Sequence, residues 1–247
     1  MKLDRCSGAR THLLAFTVLA LSIGCPVLSF AASYQYSDFS GGLGSDFQFL
    51  DDQNVFTIST GSSGLRLTKG DGTGSGFTQA EIVWNLLLVG DFTADVDYEL
   101  KQPLADGQQL EWHLDSPSGP YFFLVRSNES WILGGNNYHV WNGLMHGDVP
   151  TTDGSGTLRI VRAGTEVNAY FKSPGGSTFT HVFGESFPTE DLYLSMTLQN
   201  QPLTTSSLDA SFSNIRISDS SPVPLPQAWL LLGSALAAVG YRRGRYS

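Results

Sequence analysis

The sequence predicts an all-β fold in which two antiparallel sheets stack as a sandwich. Residues 34–219 show no sustained helical periodicity. Apolar and polar residues instead alternate in short runs, which glycine, serine, aspartate and proline interrupt. About eleven to thirteen runs of this kind can be distinguished, and so many antiparallel strands are typical of two stacked sheets.

Two segments show the alternation most clearly. Residues 92–100 and 109–115 alternate strictly between apolar and polar side chains. Because successive side chains on a strand point to opposite faces, each segment predicts one core face and one polar face. The predicted core-facing residues are Ala94, Val96, Tyr98, Leu100, Leu110, Trp112 and Leu114. Further strands are predicted over 55–58, 65–68, 121–126, 158–162, 167–172, 192–199 and 208–217.

Residues 1–31 have the order of a signal peptide, followed by the predicted domain over 32–219. Three basic residues lie in the first ten positions, an apolar run covers 13–21, and small residues occupy positions 29 and 31. The apolar run is shorter than the about 20 residues that a spanning helix needs. We therefore expect a removable signal helix and signal peptidase as a partner, with an uncleaved anchor as the alternative. Cys6 and Cys25 both lie in this segment, so residues 32–219 form no disulfide.

Residues 220–247 form a tail of three parts. A proline-rich motif comes first, an uncharged apolar run over 228–241 follows, and arginines close the chain. The motif consists of Val223, Pro224, Leu225 and Pro226, and the closing cluster of Arg242, Arg243 and Arg245. Proline excludes the motif from a helix, whereas the apolar run favours a short hydrophobic helix. Such a helix followed by arginines is expected to enter a membrane with its positive end in the cytoplasm.

This tail resembles the PEP-CTERM sorting signal of Gram-negative bacteria, with Leu225 where the commonest form has glutamate. The resemblance implies that an exosortase recognises the tail. It also implies that the C-terminal helix is inserted only transiently into the inner membrane. The protein would then reach the cell surface or the extracellular space. An ordinary C-terminal membrane anchor is the alternative.

The charge of the middle segment excludes several kinds of partner. Three of the 14 basic residues lie in 1–31 and three in 220–247, whereas only one of the 23 acidic residues lies in either end. Residues 32–219 therefore carry 8 basic and 22 acidic side chains, a formal net charge of −14. Such a surface repels phosphate backbones and anionic lipid, so no nucleic-acid binding is expected.

Six segments of residues 32–219 resemble the concanavalin A-like lectin/glucanase jelly roll. They are Asp38-Phe39 and the segments 64–67, 90–96, 157–164, 167–170 and 211–217. The resemblance implies a jelly-roll β-sandwich. It leaves the activity open, because one fold hosts many functions.

The polar faces of the central strands form the candidate ligand surface. If the apolar faces of these strands pack in the core, we expect the opposite faces to share one surface. The glycan-binding candidates on it are Asp97, Glu99, Glu111, His113, Asp115, Asn168, Tyr170 and Tyr193. Carboxylates and amides pair with sugar hydroxyls, and aromatic rings cover the apolar side of a pyranose. The alternative is an ordinary solvated sheet face.

A catalytic interpretation is also open. Glu111 and Asp115 share a strand face with His113 between them, and Glu99 is a candidate for a second carboxylate across a strand pair. Glucanases of this fold carry Glu-x-Asp-x-x-Glu on one strand, and that string is absent from this sequence. We therefore assign no catalytic residue.

No metal site and no cofactor is predicted. His139 and His146 lie seven positions apart near Asp148, which does not match zinc-ligand spacing. The glycine-rich segment 70–76 offers carbonyls and one carboxylate to calcium but lacks the acidic density of a calcium loop. We expect a flexible turn there, with bound calcium as the alternative.

The segment 131–148 is predicted to be a loop rich in aromatic and amide side chains. Trp131, Tyr138 and Trp141 alternate with asparagines in it. We expect the Trp rings to close the end of the sandwich as core, because such rings are usually mostly buried. A contact surface for carbohydrate or protein is the alternative.

These observations lead to three functional hypotheses. The first is an exported, non-catalytic protein that associates with extracellular polysaccharide or with the cell surface. The second is a glycoside hydrolase or lyase of the glucanase-like jelly-roll type. The third is a structural matrix protein without a ligand.

Overall fold

The computed structural model describes residues 33–51, 53–74, 76–201 and 204–219. The predicted signal peptide and sorting tail lie outside these residues. Fifteen strands and one four-residue helix make up the secondary structure of the described part. No helix among the described residues is both long enough and apolar enough to cross a membrane. The predicted all-β fold class is confirmed.

One sheet has eight strands, seven of which follow one another edge to edge. Their order is β13 (Thr180–Ser186), β12 (Glu166–Lys172), β11 (Ser155–Ala163), β6 (Phe92–Leu100), β15 (Leu208–Asp219), β4 (Gly64–Lys69) and β3 (Phe56–Gly61). The eighth strand, β1 (Ser33–Tyr36), pairs with the second half of β15. All of these pairings are antiparallel.

The other sheet has seven strands and is also antiparallel. Their order is β10 (Met145–Pro150), β9 (Gly135–Trp141), β8 (Tyr121–Glu129), β7 (Gln108–Asp115), β14 (Tyr193–Asn200), β5 (Thr78–Trp84) and β2 (Phe47–Leu50). The short helix α1 (Ser130–Leu133) connects β8 to β9 and ends at Gly134 in the left-handed conformation. The centre of this sheet is therefore made of β8, β7 and β14.

The core lies between the two sheets, and its residues are those that the alternation predicts. The predicted core residues of β6 and β7 are all buried in one hydrophobic cluster. Polar contacts also join the sheets, two of them through β6. Trp112 on β7 donates its indole N–H to the Ala94 carbonyl on β6 at 3.3 Å, and the hydroxyls of Tyr98 and Tyr138 meet at 2.5 Å.

The segment 131–148 is not the predicted loop. It contains α1, β9 and β10, and β9 pairs with β8 over seven residues. Tyr138 is the aromatic residue that enters the core, whereas Trp131 and Trp141 are 56% and 37% exposed. The expectation that the Trp rings form core is therefore wrong, because the alternation of β9 turns Trp141 to the outer face.

Candidate functional site

The eight glycan-binding candidates were expected to share one surface, but they do not. They divide between the outer faces of the two sheets, because β6 and β12 belong to one sheet and β7 and β14 to the other. The eight-stranded sheet carries Asp97, Glu99, Asn168 and Tyr170, and the seven-stranded sheet carries Glu111, His113, Asp115 and Tyr193. Glu99 also cannot act as a carboxylate partner of Glu111, because the core separates the two strands.

The candidates on the eight-stranded sheet are engaged in local contacts. Asp97 accepts hydrogen bonds from Thr157 at 2.7 Å and from Asn214 at 2.9 Å. Glu99 pairs with Lys101 at 2.5 Å. A cavity of about 760 Å³ lies over these residues. Tyr98 is the one aromatic residue among its described lining residues, and its ring is buried in the core, so this cavity has no exposed aromatic wall. We therefore regard it as the weaker candidate despite its size.

The outer face of the seven-stranded sheet carries an ordered array of polar side chains. Strand pairing places Gln199 beside Gln109, Thr197 beside Glu111, and Ser195 beside His113. On the other side of β14, Thr197 lies beside Glu81 of β5. We call this array the polar face. It consists of Gln79, Glu81, Gln109, Glu111, His113, Asp115, Ser127, Glu129, Asn137, His139, Ser195, Thr197 and Gln199.

The centre of the polar face is buried, so the alternative of a solvated sheet face is wrong for this sheet. Glu111 is 4% exposed and His113 is 5% exposed. They lie at the floor of a cavity of about 470 Å³. Its apolar walls are formed by Phe77, Phe123, Trp131, Trp141 and Met145.

Hydrogen bonds hold the carboxylates of the polar face in place. Gln199 donates its amide to Glu111 at 2.5 Å and also contacts Gln109. The other carboxylate oxygen of Glu111 contacts Nε2 of His113. Gln109 in turn donates to Glu129 at 2.7 Å. The network is continuous across β14, β7 and β8, which fixes the positions of these acceptors.

Aromatic stacking continues the polar face toward one end of β7 and β8. The ring of His113 stacks on Phe123 with centroids 3.8 Å apart. Phe123 stacks on Tyr121 at 4.8 Å. These rings lie beside Asp115, so acidic and aromatic groups alternate over a short distance.

The two buried histidines of the polar face and two of its acids, Asp115 and Glu129, have shifted pKa values. Burial lowers the pKa of His113, but the carboxylates of Glu111, Asp115 and Glu81 outweigh that effect and raise it overall. Burial raises the pKa of Asp115, and the nearby carboxylates of Glu81 and Glu111 raise it further, against the opposing effect of His113. Burial also raises the pKa of Glu129. His139 has its pKa lowered to about 4 by burial.

Several polar atoms of this face have no hydrogen-bond partner within the described part of the chain. They are the hydroxyls of Ser195 and Thr197 and one carboxylate oxygen of Glu129. Buried polar groups are nearly always hydrogen-bonded in native structures, so unpartnered ones indicate bound water or a ligand. All of these atoms lie on the face that lines the cavity.

Three side chains of the polar face are close enough to bind one metal ion. Glu81, His113 and Asp115 place their ligand atoms within 4.8 Å of one another. Glu81, Gln109, Glu129 and His139 belong to this site but were not among the residues predicted from the sequence. Glu81 lies on β5, whose alternation of Gln79 and Glu81 with buried Ala80 and Ile82 is readable in the sequence. The sequence does not predict that Glu81 lies near β7, because the two strands are brought together by β14, which pairs with both.

Comparison with known proteins shows the fold. No protein-family model and no curated protein matches the sequence. Among solved structures, lectin I-B4 from Griffonia simplicifolia in its metal-free form aligns with a TM-score of 0.56 and 12% identity, over 76% of this chain and 99% of that one. The lectin UEA-II, solved with galactose, aligns with a TM-score of 0.55 and 10% identity, over 76% and 98%.

A third neighbour is a glycosidase-family protein. The GH43 protein BlXynB from Bacillus licheniformis aligns with a TM-score of 0.56 and 18% identity, over 74% of this chain and 38% of that one. At such low identities these similarities show the fold alone. The described domain therefore has the jelly-roll β-sandwich fold of these lectins, which is the fold that the sequence resemblance implied.

Proposed function

We propose that this protein is an exported, non-catalytic polysaccharide-binding protein whose ligand lies over the polar face. One observation carries the proposal: a buried layer of fixed carboxylates and amides forms the floor of a cavity that two exposed Trp rings also line. Sugar sites need this combination, because hydroxyls require directed acceptors and the pyranose ring offers an apolar side. The carbohydrate-binding lectins among the structural neighbours support it.

The unpartnered groups of the polar face agree with a hydroxyl-rich ligand. The hydroxyls of Ser195 and Thr197 and the free oxygen of Glu129 lack partners that a sugar or its bridging waters would supply. Three of the candidates belong to this face and line the cavity, namely Glu111, His113 and Asp115. The first two are joined to each other. Tyr193, at 43% exposure, extends the face at its edge.

A glycoside hydrolase is the second candidate, and Asp115 is the observation that favours it. Its pKa is raised by burial and by neighbouring carboxylates, as a general acid requires. Against this, the Glu111 carboxylate is bound by Gln199 and His113, which occupies the group that would act as nucleophile or base. We therefore favour binding without catalysis.

Export is a separate part of the proposal. The signal-peptide pattern of residues 1–31 supports secretion, and the tail over 220–247 supports exosortase-dependent delivery to the surface of a Gram-negative cell. Affinity-tagged protein should be recovered from the cell surface or medium. Deletion of 222–247 should retain it in the periplasm, whereas recovery of the intact chain in the cytosol would contradict export.

Affinity electrophoresis of the full-length chain in gels containing different polysaccharides tests the binding proposal. At least one polysaccharide should retard the protein. Trp131→Ala and Trp141→Ala should each weaken retardation by about tenfold or more, since a buried aromatic contact contributes about 1.4 kcal/mol or more. Tyr170→Ala is the matched control, because Tyr170 lies on the outer face of the opposite sheet.

Two outcomes would contradict the proposal. One is the absence of retardation by any polysaccharide. The other is weaker retardation by Tyr170→Ala together with normal retardation by both Trp variants. Release of reducing sugar that is abolished in Glu111→Gln would replace binding by hydrolysis as the function.

A further inference from the structure

The three grouped side chains of the polar face come from two strands on either side of β14. Glu81 lies on β5, and His113 and Asp115 lie on β7. Their ligand atoms are within 4.8 Å of one another, with His113 buried and both carboxylates partly exposed. All three line the same cavity of about 470 Å³, which gives an ion a route from solvent.

The strand between them carries an independent sign of a missing partner. Ser195 pairs with His113 in register, and Thr197 pairs with Glu81 on one side and Glu111 on the other. Both hydroxyls are at least 97% buried and have no hydrogen-bond partner in the described part of the chain. Their register places them on the same face as the three ligands and directly between β5 and β7. A water bound to an ion at this position would satisfy them.

We propose that Glu81, His113 and Asp115 form a binding site for a divalent transition-metal ion, with Zn²⁺ as its representative. One imidazole nitrogen and two carboxylates match zinc, which binds His and Asp or Glu at about 2.0–2.2 Å and leaves a fourth position for water in open sites. Calcium and magnesium prefer oxygen ligands alone, so His113 selects against them. Ligand atoms that share one zinc ion lie within about 4 Å of one another, so the partly exposed carboxylates must rotate toward the ion when it binds.

In this arrangement Glu111 positions the imidazole ring of His113 without binding the ion itself. Its carboxylate contacts Nε2 of His113, and Gln199 holds that carboxylate from the other side at 2.5 Å. A histidine that binds a metal usually donates its other N–H to a carboxylate, which fixes the tautomer and the ring orientation. The site shares its cavity with the proposed sugar ligand. Its test uses Zn²⁺ alone, so the result does not depend on whether a polysaccharide binds.

Isothermal titration calorimetry of the tag-free, chelator-treated full-length chain with ZnCl₂ tests the site. We expect one Zn²⁺ per chain. Glu81→Gln and Asp115→Asn should each weaken binding by about tenfold or more, because each removes a ligand while keeping the shape of the side chain. Glu99→Gln and His181→Gln are the matched controls, since both residues lie on the opposite sheet and are exposed. They should leave the affinity unchanged.

A melting curve for each variant without metal separates loss of the site from loss of the fold. Variants that melt like the unmodified chain but bind Zn²⁺ weakly would support the site. Absence of Zn²⁺ binding by the unmodified chain would overturn it. Equal binding by the ligand variants and the controls would also overturn it, because the ion would then lie elsewhere.

Discussion

His139 and His113 lie on the same face of one sheet, yet their surroundings shift their pKa values in opposite directions. His113 is surrounded by three carboxylates, which raise its pKa in spite of burial. His139 is buried and has its pKa lowered to about 4. Its Nδ1 lies 3.0 Å from the amide oxygen of Asn137, an acceptor, so Nδ1 carries the proton of the neutral ring. Its Nε2 is 3.9 Å from Glu129, beyond hydrogen-bond distance.

The environment of His139 predicts a loss of stability in mild acid. The ordinary His pKa is 6.5 and the folded value is about 4. As the pH falls from 6.5 toward 4, the unfolded chain therefore binds a proton that the folded protein does not bind. The free energy of unfolding should fall by about 2 kcal/mol from this residue between about pH 7.5 and about pH 5.

Urea unfolding of the full-length chain and of His139→Gln at both pH values isolates this effect. The variant should gain about 2 kcal/mol relative to the unmodified chain on moving to the lower pH, whatever its stability at the higher one. His181→Gln, which removes an exposed histidine, should show no such relative gain. Parallel behaviour of the His139 variant and the unmodified chain would show that His139 is protonated in the folded state.

At the scale of single strands, much of the fold can be predicted from the sequence. The predicted strand over 92–100 coincides with β6, and that over 109–115 lies within β7. Where alternation is strict and one face is apolar, local pattern and tertiary burial agree. Strand β9 was missed because Gly135–Trp141 is mostly polar and amide-rich, and its burial comes from pairing with β8 and β10 rather than from its own composition.

The hairpin between β3 and β4 shows how one residue fixes an element. Gly64 has a φ of 122°, and a Cβ added to it would lie 2.2 Å from the Phe212 carbonyl oxygen on β15. Glycine is required here by both the backbone conformation and the close approach of the next strand. Gly61, at the other side of the same turn, has open space around its Cβ position.

We therefore expect Gly64→Ala to destabilise the domain by more than about 2 kcal/mol, since the strand must move away from β15. Gly61→Ala should change the free energy of unfolding by less than about 1 kcal/mol. Urea unfolding of both variants provides the comparison. Similar stabilities for the two would show that β4 and β15 adjust easily at this point.

At the scale of the whole molecule, alternation indicates which residues share a face of a strand but not which sheet the strand joins. Asp97 and Glu111 both oppose core residues on their strands, yet they lie on opposite outer surfaces of the sandwich. Sheet membership depends on crossovers such as β6 to β7, which connect the two layers and leave no periodic signal. This is why half of the candidate residues were placed on the wrong surface, although their strands were predicted correctly.

The hydrogen bond between Tyr98 and Tyr138 joins the two sheets, and removing it would show how much it contributes to stability. Tyr98 belongs to the eight-stranded sheet and Tyr138 to the seven-stranded sheet, and their hydroxyls meet at 2.5 Å within the core. The Tyr138 hydroxyl also donates a hydrogen bond to the Asp153 carboxylate at 3.3 Å. Tyr138 therefore keeps one partner when the Tyr98 hydroxyl is removed. Tyr98→Phe should lower the free energy of unfolding by about 1 kcal/mol, the usual net contribution of one buried hydrogen bond.

The matched control is Tyr170→Phe, which removes a hydroxyl from the outer face of the same eight-stranded sheet and should leave stability within about 0.5 kcal/mol of the unmodified chain. Equilibrium urea unfolding followed by Trp fluorescence measures both variants. Because Tyr138 is stacked on Phe171 at 4.0 Å, apolar packing still holds the layers together in Tyr98→Phe. If Tyr98→Phe lowers the free energy of unfolding by several kcal/mol, the hydroxyl pair rather than this packing determines how the sheets align. If it does not lower it at all, the hydrogen bond from Tyr138 to Asp153 compensates fully for the lost contact.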